Sequence, residues 1–214
     1  PEMTLDDTGY RLDVIHANML GKRISHQALV RAQEIDETAY KEVLSRINSK
    51  KLLVSDSFKD KYISIEGIRA KVKEHRPNLL IIDGIELISS KGNQAAWEKM
   101  NDLIYAIKYL CLEQKIPGMI TAQASIRVRN GHLLHVMPQI DQIAFGQTLF
   151  RASDVLLSMC KVKKYENMRR FTVQKSRNFD DPAIRQLVLD WDVDYGKIEE
   201  KMEPDWEDIL DIED

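Results

Sequence analysis

Leu79-Leu80-Ile81-Ile82-Asp83 sets a carboxylate at the end of four consecutive aliphatic residues. Such a run, without alternation, reads as a strand covered on both faces in a parallel sheet. The carboxyl end of such a strand is where open α/β sheets bind ligands. A carboxylate there can hold Mg²⁺ beside nucleotide phosphates, directly or through water, or it can simply cap the following turn. Met119–Ala122 is a second short apolar run, closed by Gln123. A glutamine at the tip of an adjacent strand can sense a γ-phosphate and report it to the next loop, or it can be that loop's first polar residue. Lys175-Ser176-Arg177-Asn178 closes a run of alternating pattern. Two cations separated by one residue share a strand face. Together they suit a cluster of phosphate oxygens, although an ordinary surface pair has the same spelling.

The segment from Gln114 to Ile140 has no acidic residue and carries Lys115, Arg127, Arg129, His132 and His135. A second basic group comprises Lys161, Lys163, Lys164, Arg169, Arg170, Lys175 and Arg177. Either can meet nucleic-acid phosphate; for the second, a solvated strand edge is the alternative. Nothing in the chain fits G-x-x-x-x-G-K-[ST], since Gly21-Lys22 is followed by Arg23 and lacks the upstream glycine. A self-contained phosphate cradle is therefore not expected within these residues.

The elements that must position these groups are legible in outline. Thr4 and Asp7 have the spacing of a capping box, and Leu12, Ile15 and Met19 recur at helical steps, so a helix is predicted from near Leu5. Further helices are predicted over Thr38–Asn48, Ile65–His75 and Gln94–Gln114, the last with Trp97, Met100, Ile104, Ile107 and Cys111 in one stripe. Leu52–Val54, Leu79–Ile82 and Met119–Ala122 read as strands. Residues 124–145 show little periodicity and read as a long functional loop. Asp154–Met159, Arg170–Gln174 and Gln186–Trp191 read as strands, the last two forming a hairpin around a turn at Asn178–Pro182. Strand–helix–strand alternation through the first two thirds predicts an α/β fold with a largely parallel sheet and a C-terminal antiparallel hairpin.

Composition narrows the class. The 214 residues are 43% hydrophobic and 30% charged, enough for a sizeable core. No apolar run approaches the roughly 18–20 residues that span a bilayer. The two cysteines, Cys111 and Cys160, exclude a disulfide scaffold and a cysteine zinc site, and suit a reducing cytoplasm. The net charge of −3 hides an asymmetry. Residues 197–214 carry nine acidic residues against Lys197 and Lys201, a net of −7, which leaves residues 1–196 at +4. Such a tail is expected to be solvated; with Trp206, Ile209, Leu210 and Ile212 at roughly helical spacing it can also serve as a docking peptide.

Taken in order, these motifs resemble the C-terminal motor domain of DnaB-type replicative DNA helicases, a branch of the RecA-like ATPases. Pro1-Glu2-Met3-Thr4 resembles the family's glutamate-methionine-serine segment, which makes Glu2 the catalytic base. Leu79–Ile88 resembles the Walker B strand, with Asp83 as the magnesium carboxylate and departures at Gly84 and Glu86. Ile120–Gln123 resembles the γ-phosphate-sensing motif, and Arg151–Val155 the lead into the next core strand. Val173–Asn178 resembles the block in which an arginine finger, here Arg177, reaches the neighbouring subunit's nucleotide with help from a lysine, here Lys175.

The resemblance implies a RecA-like three-layer fold over residues 1–195 and an acidic tail over 196–214. It implies ATP and Mg²⁺ as ligands, a homo-hexameric ring around single-stranded DNA, and a primase, loader or single-strand-binding protein as partners. The implied location is the cytoplasm of a bacterium or phage-infected host. DNA contacts are expected from Arg127 and Arg129, on charge, and from the backbone at Gly146 and Gln147. The resemblance also sets the family's first core strand and Walker A loop upstream of Pro1, so that a preceding or partner segment is expected to complete the core. A RecA-like recombinase, another RecA-fold ATPase, or a non-catalytic assembly module acting through the tail are the alternatives.

Overall fold

The computed structural model describes residues 4–47, 52–55, 63–88, 96–124, 137–142, 145–162, 165–177 and 186–201. The chain divides into two units: residues 56–159 with 172–185, and residues 2–55 with 160–171 and 186–214.

The first unit holds the candidate site, and its order follows from apolar periodicity. Counting helices from the N-terminus, α1 (Leu5–Met19), α2 (His26–Val30) and α3 (Glu37–Arg46) belong to the second unit, and α4 (Ile65–His75) opens the first. Then come β1 (Leu80–Ile82), a single 3-10 turn at Ile85–Leu87, α5 (Ala96–Gln114), β2 (Gly118–Ile120), a 3-10 turn at Ile140–Gln142, and α6 (Gly146–Ala152). β1 and β2 pair in parallel with Leu80 opposite Gly118 and Ile82 opposite Ile120. Ile104, Ile107 and Leu110 of α5 pack with Ile68 and Val72 of α4, Ile82 of β1, and Leu149 and Ala152 of α6 in one buried cluster. Burying aliphatic side chains of this size contributes roughly 1.5–3 kcal/mol each, so α5 is the main anchor of the unit. Gly118 permits the close approach of helix and strand. A Cβ there would lie 2.6 Å from the Cys111 sulfur. Burial also pushes the Cys111 thiol above its ordinary range, which suits a packing role rather than a nucleophilic one.

In the second unit the Thr4–Asp7 capping box opens α1, with the Thr4 hydroxyl accepting from the Asp7 N–H at 3.1 Å. Val14, Ala17, Ile24 and Val43 form its small helical core. The Tyr40 hydroxyl donates to Asp13 Oδ2 at 2.7 Å. Burial, and then that hydrogen bond to a carboxylate, hold the Tyr40 phenol well above its usual range. Asp194 Oδ1 accepts from the Ser25 hydroxyl at 3.0 Å and the Gln27 N–H at 2.8 Å, and so ties down the start of α2.

Four strands, β3 (Val155–Val162), β4 (Tyr165–Ser176), β5 (Gln186–Asp192) and β6 (Lys197–Glu200), form an antiparallel sheet in sequence order. β3 and β4 each run from one unit's residues into the other's. β5 and β6 pair with Trp191 opposite Ile198 and Leu189 opposite Glu200.

Several expectations are met closely: α1, α3, α4 and α5 lie where predicted, and β4 and β5 are antiparallel neighbours. Others need correction. Among the described residues parallel pairing is limited to β1 and β2, while the antiparallel sheet has four strands. Leu52–Val54 forms no ladder and is exposed, because three apolar residues without a pairing partner do not make a strand. β1 is covered on one face: Ile82 is buried but Ile81 is 57% exposed. Trp97, the first member of the predicted α5 stripe, is 59% exposed, so the buried face starts a turn later. The first four residues of the acidic segment are β6, held by the β5 ladder. The turn predicted at Asn178–Pro182 and the rest of the tail lie outside the described residues.

Candidate functional site

Parallel register builds the first part of the site. With Ile82 opposite Ile120, the next residues on each strand, Asp83 and Thr121, leave the sheet side by side. The Thr121 N–H donates to the Ile82 carbonyl at 2.9 Å, and its hydroxyl donates to Asp83 Oδ1 at 2.7 Å. The Gly84 N–H donates back to the same hydroxyl oxygen at 2.8 Å, and the Ile85 N–H to the Thr121 carbonyl at 3.1 Å. Thr121 therefore staples the chain on both sides of Asp83. The reversal that makes this possible needs glycine. Gly84 has φ of 79°, and a Cβ there would meet Leu87 Cδ1 at 2.9 Å. The departure from the family pattern at this position is thus dictated by the turn.

The 3-10 turn that follows carries Glu86 back toward β2, where its Oε1 accepts the Gln123 N–H at 3.1 Å. Asp83, Glu86, Thr121 and Gln123 thus gather at the carboxyl ends of two neighbouring parallel strands, with Asp83, Glu86 and Gln123 exposed. The hard oxygen donors of Asp83 and Thr121 suit Mg²⁺, which is held by one or two carboxylates together with substrate phosphates rather than by an all-protein cage.

The second part is cationic. The Lys175 ammonium donates to the Phe150 carbonyl and, at 2.7 Å, to the Ser153 carbonyl, and lies 4.9 Å from the centre of the Phe150 ring. It thereby caps the C-terminal end of α6, where carbonyls lack helical partners and a cation is favoured. Desolvation, followed by the nearby Arg177 charge, lowers the Lys175 pKa. Arg177 lies just beyond β4. Its Nη1 is 3.0 Å from Asp154 Oδ1, its Nη2 reaches the Arg151 carbonyl at 3.5 Å, and its backbone N–H donates to the Asp154 carbonyl at 3.0 Å. Its side chain remains 53% exposed.

Gly146 and Gln147 begin α6, Gly146 buried and Gln147 exposed. They line an open cavity of about 250 Å³ with Ile140, Asp141, Phe145 and Thr148. Phe145, just before the helix, has φ of 60°, an uncommon value for a non-glycine residue. The Thr148 hydroxyl donates to Asn101 Oδ1 at 2.6 Å and ties α6 to α5.

The structure thus brings Asp83 and Gln123 together, and Lys175 and Arg177 together, and places Gly146 and Gln147 on the helix whose far end Lys175 holds. Glu2, Arg127 and Arg129 lie outside the described residues. Sequence reasoning assigned no role to Thr121, Lys108 or Asp154. The signal for Thr121 was a lone hydroxyl inside the otherwise apolar run Met119–Ala122. Lys108 had none, being one lysine on a long helix.

No family model matches the chain, and no curated protein matches it. Among solved structures, one described as the structure of a DnaB-like replicative helicase and its interactions with primase resembles it with a TM-score of 0.75. Sequence identity is 16%, over 92% of this chain and 49% of that one. The chain has a DnaB-like fold and spans about half the length of the structure it matches. No described helix is long and apolar enough to cross a membrane.

Proposed function

We propose that this chain forms much of the RecA-like motor core of a ring-shaped replicative DNA helicase that hydrolyses ATP to move along single-stranded DNA. The observation that carries the reading is the Asp83–Thr121 pair at the carboxyl ends of adjacent parallel strands, within a DnaB-like fold. In this reading the three-layer RecA-like sheet is completed by chain outside the residues described, which also supplies the phosphate cradle.

Each named residue then has a task. Asp83, oriented by the Thr121 hydroxyl, and Thr121 itself would hold Mg²⁺, directly or through water, beside the triphosphate. The ion, when bound, neutralises phosphate charge. Glu2 orients the attacking water and accepts its proton. Arg177, supported by Lys175, reaches the nucleotide of the next subunit in a homo-hexamer and stabilises charge on the transferring phosphoryl group. Gln123 reports the phosphate state to the residues that follow it. Among them Arg127 and Arg129, with the backbone at Gly146 and Gln147 at the start of α6, hold single-stranded DNA by charge and main-chain donors. A primase, loader or single-strand-binding protein acts with the ring, in the cytoplasm of a bacterial or phage-infected cell.

The test is ATP hydrolysis by the full-length protein with and without single-stranded DNA, followed by unwinding of a forked duplex. Stimulated hydrolysis with unwinding is expected. Strand exchange on filaments without unwinding would assign the protein to the recombinases instead. Absence of nucleotide binding, with partner capture that depends on the tail, would make it an assembly module.

A further inference from the structure

Asp154 joins three elements at one carboxylate. Its Oδ2 accepts from Lys108 Nζ of α5 at 2.6 Å, its Oδ1 faces Arg177 Nη1 at 3.0 Å, and its carbonyl takes the Arg177 N–H at 3.0 Å. The Lys108 hydrogen bond, above all, holds the Asp154 carboxyl below its ordinary range, with the charges of Lys108, Arg177 and Lys175 acting in the same direction. The group is therefore ionised at any working pH. The side chain is 53% exposed, and exposed ion pairs contribute little to stability. Stability alone does not account for so specific an arrangement.

The geometry suits a different task. An arginine and a carboxylate often meet through two parallel hydrogen bonds, which would occupy one whole edge of the guanidinium. Here Lys108 donates to the second carboxylate oxygen, and Arg177 is ion-paired to the first through Nη1 at 3.0 Å, while Nη2 keeps a contact at the outer limit of a hydrogen bond, to Arg151. The arginine is restrained in direction and keeps donors for an incoming anion. We propose that Asp154, itself oriented by Lys108, is a positioning residue that aims Arg177 at the phosphate of the neighbouring subunit. This rests on the reading of Arg177 as the cation acting across the subunit boundary.

The experiment uses the full-length protein and compares Asp154→Asn, Lys108→Met, Arg177→Ala and the Asp154→Asn/Arg177→Ala double variant. For each, kcat and KM of DNA-stimulated ATP hydrolysis, affinity for a fluorescent nucleotide and melting temperature are measured. Asp154→Asn is expected to lower kcat by roughly ten- to a hundredfold, the scale of a misplaced catalytic group, with KM and nucleotide affinity unchanged. Lys108→Met should lower kcat in the same manner, to a smaller extent. The double variant should be no slower than Arg177→Ala, because residues acting as one unit are not additive. Multiplied losses in the double variant would overturn the proposal. So would wild-type kcat in Asp154→Asn, or a fall in kcat accompanied by a matching loss of affinity and melting temperature. Should Asp154→Asn fail to fold, Lys108→Met alone and in the Arg177→Ala background decides by the same additivity. Normal turnover in Arg177→Ala is a separate outcome: it removes the finger assignment itself, whatever Asp154 does.

Discussion

The two polar centres of the first unit are built in opposite ways. At the tips of β1 and β2, a neutral hydroxyl orients a carboxylate, and the contacts follow from the register of one pair of strands. At the end of β4, cations are held by α6 carbonyls and by one carboxylate, and the contacts join residues 22 to 46 positions apart. The first centre leaves acceptors facing outward and so suits a cation with its phosphates. The second sets Lys108, Lys175 and Arg177 against the single carboxylate of Asp154 and leaves Arg177 half exposed, so it suits an anion brought by another molecule. The proposed hydrolysis at a boundary between subunits requires such a division, with neither half acting alone.

The largest effect that tests this division is on Arg177. Arg177→Ala should lower DNA-stimulated hydrolysis by on the order of 10³–10⁵ and leave nucleotide binding nearly intact, as read by turnover and by equilibrium titration. Loss of nucleotide binding instead would mean that the cationic centre serves its own subunit's nucleotide. The carboxylate centre should respond differently. Thr121→Val removes the hydroxyl that orients Asp83 and should raise the Mg²⁺ concentration needed for half-maximal hydrolysis by roughly 10–100-fold, measured by titrating Mg²⁺ against turnover. An unchanged midpoint would remove Thr121 from the metal site.

Replacing Arg127 and Arg129 together with alanine asks whether DNA is felt at these two arginines. Single-strand binding should weaken, and the salt slope should flatten by about 1.4, at roughly 0.7 for each phosphate no longer neutralised. The same affinity at low and high salt would place the DNA elsewhere. The smallest effect is on stability. The Asp154 carboxyl titrates below its ordinary value of 3.8 in the folded chain. Its ion pairs therefore contribute fully above about that pH, and the contribution disappears as the pH falls through the lower folded value. Because the pair is exposed, the melting difference between wild type and Asp154→Asn should correspond to less than about 1 kcal/mol at neutral pH. It should vanish in acid; a difference that grew in acid would show that Asp154 is held by something other than these cations.

Legibility followed the range of each interaction. The α1 cap was readable because Thr4 and Asp7 are three residues apart, and α4 was readable to its last residue because Pro77 follows close behind. Asp83 was readable as a strand tip because it closes an apolar run; Gln123 was read the same way, but β2 ends at Ile120, three residues earlier. Leu52–Val54 failed, since a strand needs a partner that its own residues do not specify. β6 was hidden by its charge: Lys197–Glu200 reads as a solvated tail, yet its backbone pairs with β5 whatever its exposed side chains carry. Gly84 read as a mere departure from a pattern until its positive φ showed that the turn requires it.

The order of residues alone determined which chemical groups end each strand and which faces of the long helices are apolar, because both depend on spacing within a few residues. Tertiary packing decided that Thr121 serves Asp83, that Lys175 is spent on the carbonyls of α6, and that Lys108 and Asp154 together hold Arg177. Those pairings join segments far apart along the chain. They exist only once the register of β1 with β2 and the packing of α5 and α6 have brought the atoms within hydrogen-bonding distance.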